Sequence, residues 1–410
     1  MSAELATLNR IKHNSDMYCI DESLFDDINM LDISGIFPAT DLTKRKIVLD
    51  LPRKSEFNTT DFLIRQGESG DSFGSSIDIS DELIVVGNKD RSRIKVYNFN
   101  GDQIKSFQAS AGFGRAVAIS NDTLVVGVNG DATYNGGIYL YDISNNWSFI
   151  YIDAPEKTNP NGALFGAIPR SIAFFPDGSK FVITARDWGY SGNSKVGKAY
   201  IYDKDGTQLT EIVSQIPVAN SGFGQSVYVS DYIYISMVDG EVNPIYPGLL
   251  YRYDLDGTNE VIIVPSNSTT YANFGEATYT YRDMIVAGSS GDDNNGANNG
   301  AIHIIDKNSV TIQDKIIFNS PGSKFGDSIA IDERYFYVGA PTEEVATKSN
   351  GVIYKLDHNG TLVEKIAIND NGDNNGFGTY IKINNNHMVI SAPGANNGYG
   401  RIYILKKELV

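Results

Sequence analysis

Two stretches come nearest to a reactive constellation, Gly291-Asp292-Asp293-Asn294-Asn295-Gly296 and Asn369-Asp370-Asn371-Gly372-Asp373-Asn374. Carboxylates and amides gathered within one turn can surround a hard cation with oxygen ligands. Neither stretch keeps the spacing of a calcium loop, so Asp292, Asp293, Asp370 and Asp373 are weak candidate ligands against the simpler reading of solvated turns. No metal site and no cofactor is expected. The patterns G-x-S-x-G, H-E-x-x-H, G-x-x-x-x-G-K-S/T and the sialidase Asp-box are absent from the sequence, which removes the commonest hydrolase, metalloprotease and nucleotide signatures. Of four histidines, His303 occupies a tyrosine position of a repeat and reads as a packed ring, while His13, His358 and His387 lie apart. Paired carboxylates stay open, because sequence does not show which acids meet in space. No catalytic residue is assigned.

A second group of residues suits recognition. Tyr134, Trp188, Tyr190, Tyr246, Tyr271 and Tyr399 lie in irregular segments rich in Asn, Asp and Gly. A ring supplies contact area and neighbouring amides supply oriented hydrogen bonds, a combination that fits a sugar or a protein surface. The alternative is that these rings pack onto neighbouring loops.

The segments that must position these residues repeat. Phe-Gly recurs seven times, at Phe73, Phe113, Phe165, Phe223, Phe274, Phe325 and Phe377, with spacings of 40, 52, 58, 51, 51 and 52. A period in this range marks a repeat architecture. After each Phe-Gly, apolar residues alternate with period two, as in Ile77 and Ile79 or Val117 and Ile119, which is a strand pattern. A second strand reaches a small residue fourteen positions after the phenylalanine, as at Gly87, Gly127, Gly288, Gly339 and Ser391. A tyrosine-rich third strand follows (GGIYLYD, GKAYIYD, GLLYRYD, GVIYKLD), and a less regular fourth completes most units. Each unit is therefore expected to be a four-stranded antiparallel blade.

These residues resemble the FG-GAP repeat family, best known from integrin alpha-chain propellers. Gly339-Ala340-Pro341 and Ser391-Ala392-Pro393 match its second signature, and the resemblance covers about residues 62 to 410. It implies an all-β fold, a seven-bladed β-propeller. Calcium-binding members carry an Asp-rich loop between the first and second strands. Here the corresponding hairpins, such as ISDEL and SNDTL, are too short to wrap an ion. The third unit carries about three extra residues after Phe165, and the fifth has Thr278 and Thr280 where others are apolar.

The last unit ends too soon for its own fourth strand, and an open edge invites mispairing. Residues Phe62 to Gln66 have the length and placement to supply it against Arg401 to Leu405, closing the ring. The division expected is an arm over 1–60 and the propeller over 61–410. The arm mixes patterns of a short helix and an extended segment, and holds too many apolar residues for a pure linker.

Composition narrows the function. The net charge of -16 disfavours nucleic acid and anionic lipid. Without a run of eighteen apolar residues or a Sec-type leader, neither membrane insertion nor Sec export is indicated. The single Cys19 excludes an intramolecular disulfide framework. The expected function is non-enzymatic recognition or scaffolding by a loop-rich propeller face. The arm would dock it onto other proteins of a larger assembly, such as a virion (phage tail or capsid-associated). The alternatives are a bacterial surface or secreted adhesin that binds glycan or receptor through the same face, exported by a non-Sec route, and, further off, a polysaccharide lyase or glycosidase.

Overall fold

The computed structural model describes residues 62–409 except 130–134, 157–161, 190–194, 216–220, 239–247, 266–268, 270–271, 346–347 and 369–374. It also describes the strands Leu8–His13, Asp16–Asp21, Met30–Asp32, Lys46–Val48 and Ser55–Phe57. Two compact units separate, Met1–Glu56 with Glu408–Val410, and Phe57–Lys407. In the first, Leu8–His13 pairs antiparallel with Asp16–Asp21, and Met30–Asp32 with Lys46–Val48. The helix expected in the arm lies mostly outside the described residues.

The second unit is the seven-bladed propeller. Blade one is Phe73–Ile79, Leu83–Asn88, Arg93–Asn98 and Gln103–Gln108, paired in that order from the axis outward. The other blades span 117–153, 172–212, 223–263, 278–316, 328–367 and 381–409. Their inner strands touch one another in sequence around the ring, and the seventh touches the first. Both irregular units form complete blades, with Ile172 opposite Ile183 in the third and Thr280 opposite Ile285 in the fifth. The closing strand is Leu63–Gln66, which pairs antiparallel with the third strand of blade seven in the register Gln66 to Arg401 and Ile64 to Tyr403. Phe62 adds edge-on contacts to Phe377 and Tyr403.

The motif has a physical cause at each position. All seven phenylalanines are buried, and each packs edge-on against an aromatic ring of its own third strand, as Phe223 does on Tyr251 and Phe377 on Tyr403. Burying each ring contributes on the order of 2–3 kcal/mol. In blade one that ring is Tyr97, and the Lys95 ammonium also lies over the Phe73 ring. The glycine that follows has φ between 62° and 95° in every copy, a region that penalises a Cβ. That conformation turns its carbonyl into the preceding blade. There the small residue fourteen positions on must make room: a Cβ on Gly127 would overlap the Gly166 carbonyl oxygen, and one on Gly288 that of Gly326. Serines three positions after the phenylalanine then donate to the next blade's glycine carbonyl, Ser76 to Gly114 at 2.8 Å and Ser328 to Gly378 at 2.6 Å. The phenylalanine N–H donates backwards, Phe165 to Asn135 O at 2.9 Å and Phe377 to Asn350 O at 2.9 Å. The Phe73 N–H reaches Tyr399 O at 3.3 Å, so the same bond joins the last blade to the first.

The hairpins of one face use aspartates to set their turns. Asp142, Asp177, Asp203, Asp306 and Asp357 each accept hydrogen bonds from turn N–H or hydroxyl groups within five residues. These are Asx turns that set the chain reversal.

Candidate functional site at the channel mouth

The segments joining strand two to three, and strand four to the next blade, emerge together on the opposite face. The channel opens there at the start of the inner strands, next to Phe-Gly. The residue after Phe-Gly is Glu276 in blade five, Asp327 in blade six and Thr379 in blade seven. In blade three the extra residues carry Arg170 to the corresponding place, two before Ile172. Arg170 has φ 65°, a left-handed conformation uncommon for a residue with a side chain.

From there its guanidinium reaches across the ring. It lies 3.4 Å from Glu276 and 3.5 Å from Asp327, donates to the carbonyls of Asp327 (2.7 Å) and Thr379 (3.1 Å), and stacks 4.7 Å from the Tyr380 ring centre. Its own carbonyl accepts the Val227 N–H of blade four. One residue thus ties blade three to four others. Burial alone weakens a guanidinium's hold on its proton, but Tyr380, Asp327 and Glu276 outweigh it and hold Arg170 firmly charged. Burial raises Glu276, opposed by Arg170 and helped by Asp327, so its carboxyl protonates above the ordinary range. Burial pushes the Tyr380 hydroxyl up to about 12.

Below this network lies a cavity of about 310 Å³, lined by branched apolar side chains of the inner strands. Towards its other end Lys382 pairs with Asp78 at 2.9 Å, Asp78 accepts the Ile119 N–H at 2.9 Å, and the Tyr228 and Tyr279 rings lie 5.2 Å apart. Each acid named along the channel has a cation beside it, Arg170 being shared by Glu276 and Asp327.

The residues singled out from sequence fall differently. Tyr134, Tyr190, Tyr246 and Tyr271 lie outside the described residues. Trp188, expected as an exposed ring, is only 5% exposed. Its Nε1 donates to Glu156 at 2.7 Å, and the Lys198 ammonium sits 4.7 Å from its ring, so it belongs to the blade-three core. Tyr399 is half-buried, and its carbonyl serves the ring-closing bond to Phe73.

Asp292 is fully buried, ion-paired with Lys315 at 2.8 Å and capped by Asn294 N–H, which leaves its carboxylate committed. Asp293 is exposed and accepts the Asn298 N–H at 2.6 Å. Asp370 and Asp373 lie outside the described residues. Among the described residues no group of three or more His, Cys, Asp or Glu is placed to hold a metal.

Blades five and six repeat one buried arrangement. Tyr354 donates to Glu343 at 2.6 Å and Lys365 pairs with Glu343 at 2.7 Å, while His303, Asp292 and Lys315 take the same three places. His303 packs edge-on to Phe274 at 5.1 Å, His387 stacks on Phe99 at 4.1 Å, and His358 lies between Tyr281 and Phe336.

Arg170, Glu276 and Asp327 escaped the sequence reading. Aligning the seven Phe-Gly units would have exposed opposite charges at one repeat position, once the insertion after Phe165 was allowed for.

The closed ring of blades and its charged mouth define a seven-bladed β-propeller around an axial channel. Residues 107–141 match the model of the FG-GAP repeat. Together with the seven four-stranded blades, this one matched repeat supports an FG-GAP type of β-propeller. No curated protein matches the chain. Among solved structures, it is similar to selenomethionine-substituted virginiamycin B lyase from Staphylococcus aureus, at TM-score 0.60 and 13% identity over 86% of this chain and 99% of that one. A streptogramin B lyase structure gives TM-score 0.57 and 13% identity over 85% and 98%. At that identity the likeness is one of fold. The propeller is a rigid scaffold of a kind suited to protein interaction.

Proposed function

We propose that the chain is a non-enzymatic recognition or scaffold protein, a structural component of a virion that docks through residues 1–60 and offers its loop face to a protein or glycan. The observation that carries the recognition reading is the channel mouth. Arg170 bridges Glu276 and Asp327 there and offsets part of their charge, so the face offers a braced loop surface. Binding concentrates on such loops because a rigid ring holds them while their sequences vary. Cross-linking mass spectrometry on the native particle or cell fraction tests the docking. Cross-links from residues 1–60 to one neighbouring protein support it, and a chain recovered with none overturns it.

The adhesin alternative uses the same face. Trp188 is withdrawn from it by burial, so its test is glycan-array binding that falls on Tyr399→Ala. An enzyme reading draws on Glu276 and Asp327, two carboxylates of adjacent blades with one raised in its proton affinity. The lyase activity named for the structural neighbours gives this reading no residue of its own. Turnover of a polysaccharide that disappears in Glu276→Gln would establish it.

A further inference from the structure

We infer that the outer strand of blade two, Ser148–Asp153, is a self-pairing edge through which two copies of the chain join antiparallel into one continuous sheet. The inference concerns the rim of the disc and stands whether or not the loop face binds anything. Ser148–Asp153 is the last strand of its sheet, and among the described residues nothing pairs with its outer side. Phe149, Ile150 and Tyr151 are 57%, 48% and 43% exposed in direct succession, so about half of each side chain is left open on the two faces of the strand, Phe149 and Tyr151 resting their other halves on Tyr139.

An edge of this kind is a template for another strand unless charge, brevity or a bulge blocks it. Five other outer strands carry a charge within them, including Lys105, Glu211, Asp314, Glu364 and Arg65, and the outer strand of blade four, Val261–Ile263, is three residues long. In blade two the only charge is Asp153 at the end of the strand, and none occurs from Ser148 to Ile152, so its centre lacks either protection.

The occupant follows from the sequence of the strand. Paired about a two-fold axis at Ile150, two copies place Phe149 opposite Tyr151 on one face and Ile150 opposite Ile150 on the other. Aromatic and branched pairs of this sort stabilise antiparallel sheets. Asp153 then falls outside the pairing, beyond the partner's Ser148, so two chains of net charge -16 meet at a stretch of the rim with no carboxylates opposed. Strand pairing covers less than the ~800 Å² per partner of a standard interface. The association is therefore weak at low salt and tightens as salt screens the repulsion between chains.

Sedimentation velocity on the full chain, over a range of concentrations at ~0.05 M and ~0.5 M NaCl, reads the equilibrium directly. The expected result is a monomer–dimer equilibrium shifted towards dimer by salt. Ile150→Lys opposes two ammonium groups at the axis and weakens the dimer about tenfold or more, as does Ile150→Glu with two carboxylates. Mixing the two variants restores a heterodimer, because residue 150 faces residue 150 only in this register. Unchanged thermal melts of both variants show that the fold is intact. A parent chain monomeric throughout, a dimer indifferent to Ile150→Lys, or a mixture that stays monomeric each overturns the inference. The first outcome is also what an edge reserved for a different protein would give.

Discussion

Replacing His303 by phenylalanine should flatten the acid sensitivity of the propeller. His303 is fully buried in blade five, where burial and, secondarily, the Lys315 ammonium pull its pKa from 6.5 to about 4, with Asp292 opposing them. The folded state therefore binds the proton less well than the unfolded chain. Its contribution to stability is complete above about pH 6.5 and is lost as pH falls towards 4. At about 1.4 kcal/mol per pKa unit, full protonation costs about 3 kcal/mol, of which about 2 kcal/mol is lost by pH 5, where most carboxylates are still ionised. Phenylalanine keeps the edge-on contact with Phe274 without a titrating nitrogen. Urea unfolding at pH 7 and pH 5, followed by the fluorescence of the buried Trp188, should show the parent losing about 2 kcal/mol more than the variant between the two conditions. His358 and His387 are also lowered by burial, so the variant keeps a residual slope. An identical loss in parent and variant would refute the claim that His303 is held neutral in the fold.

Truncation through Gln66 should lower the melting temperature by several degrees relative to truncation through Phe57, because only the first removes Leu63–Gln66, the strand paired with Arg401–Ile404. Equal melts would mean that the ring closes without it. Gly127→Ala should cost more than about 3 kcal/mol or abolish folding, as its methyl has nowhere to go against the Gly166 carbonyl, whereas Gly322→Ala meets open space and should cost only about 1 kcal/mol for its positive φ. Similar urea midpoints for the two would contradict the close-approach argument. Arg170→Ala should destabilise by about 2–4 kcal/mol at neutral pH by leaving Glu276 and Asp327 partly buried and unpaired. The deficit should shrink on acidification, since protonating Glu276 removes one of the stranded charges, and a pH-independent deficit would point to lost packing instead. Calcium against chelator should leave the melt unmoved, with Asp292 already committed to Lys315. A rise with calcium would reopen the acidic turns as a site.

The blades were legible because each is a local object. Alternation after Phe-Gly, a small residue fourteen positions on and a tyrosine-rich third strand are features of one unit repeated seven times, and the missing fourth strand of the last unit pointed directly at Phe62 to Gln66. The irregular third and fifth units still fold as blades because pairing within the sheet and packing against neighbours override a few departures from the pattern. The candidate site was much less legible. Trp188 sits in a segment that reads as exposed loop, yet Glu156, 32 residues earlier, accepts its indole N–H and draws it inside. Asp292 reads as a solvated acid, yet Lys315 on the outer strand, 23 residues later, pairs with it in the interior.

From the order of residues alone come the number of blades and the strand that closes them, since each depends on contacts within a repeat or on counting repeats. The meeting of Arg170 with Asp327 and Thr379, 157 and 209 residues away, belongs to the closed ring. Side chains so distant share a channel only after seven sheets have set its diameter. The charges that face one another across it are chosen by that geometry.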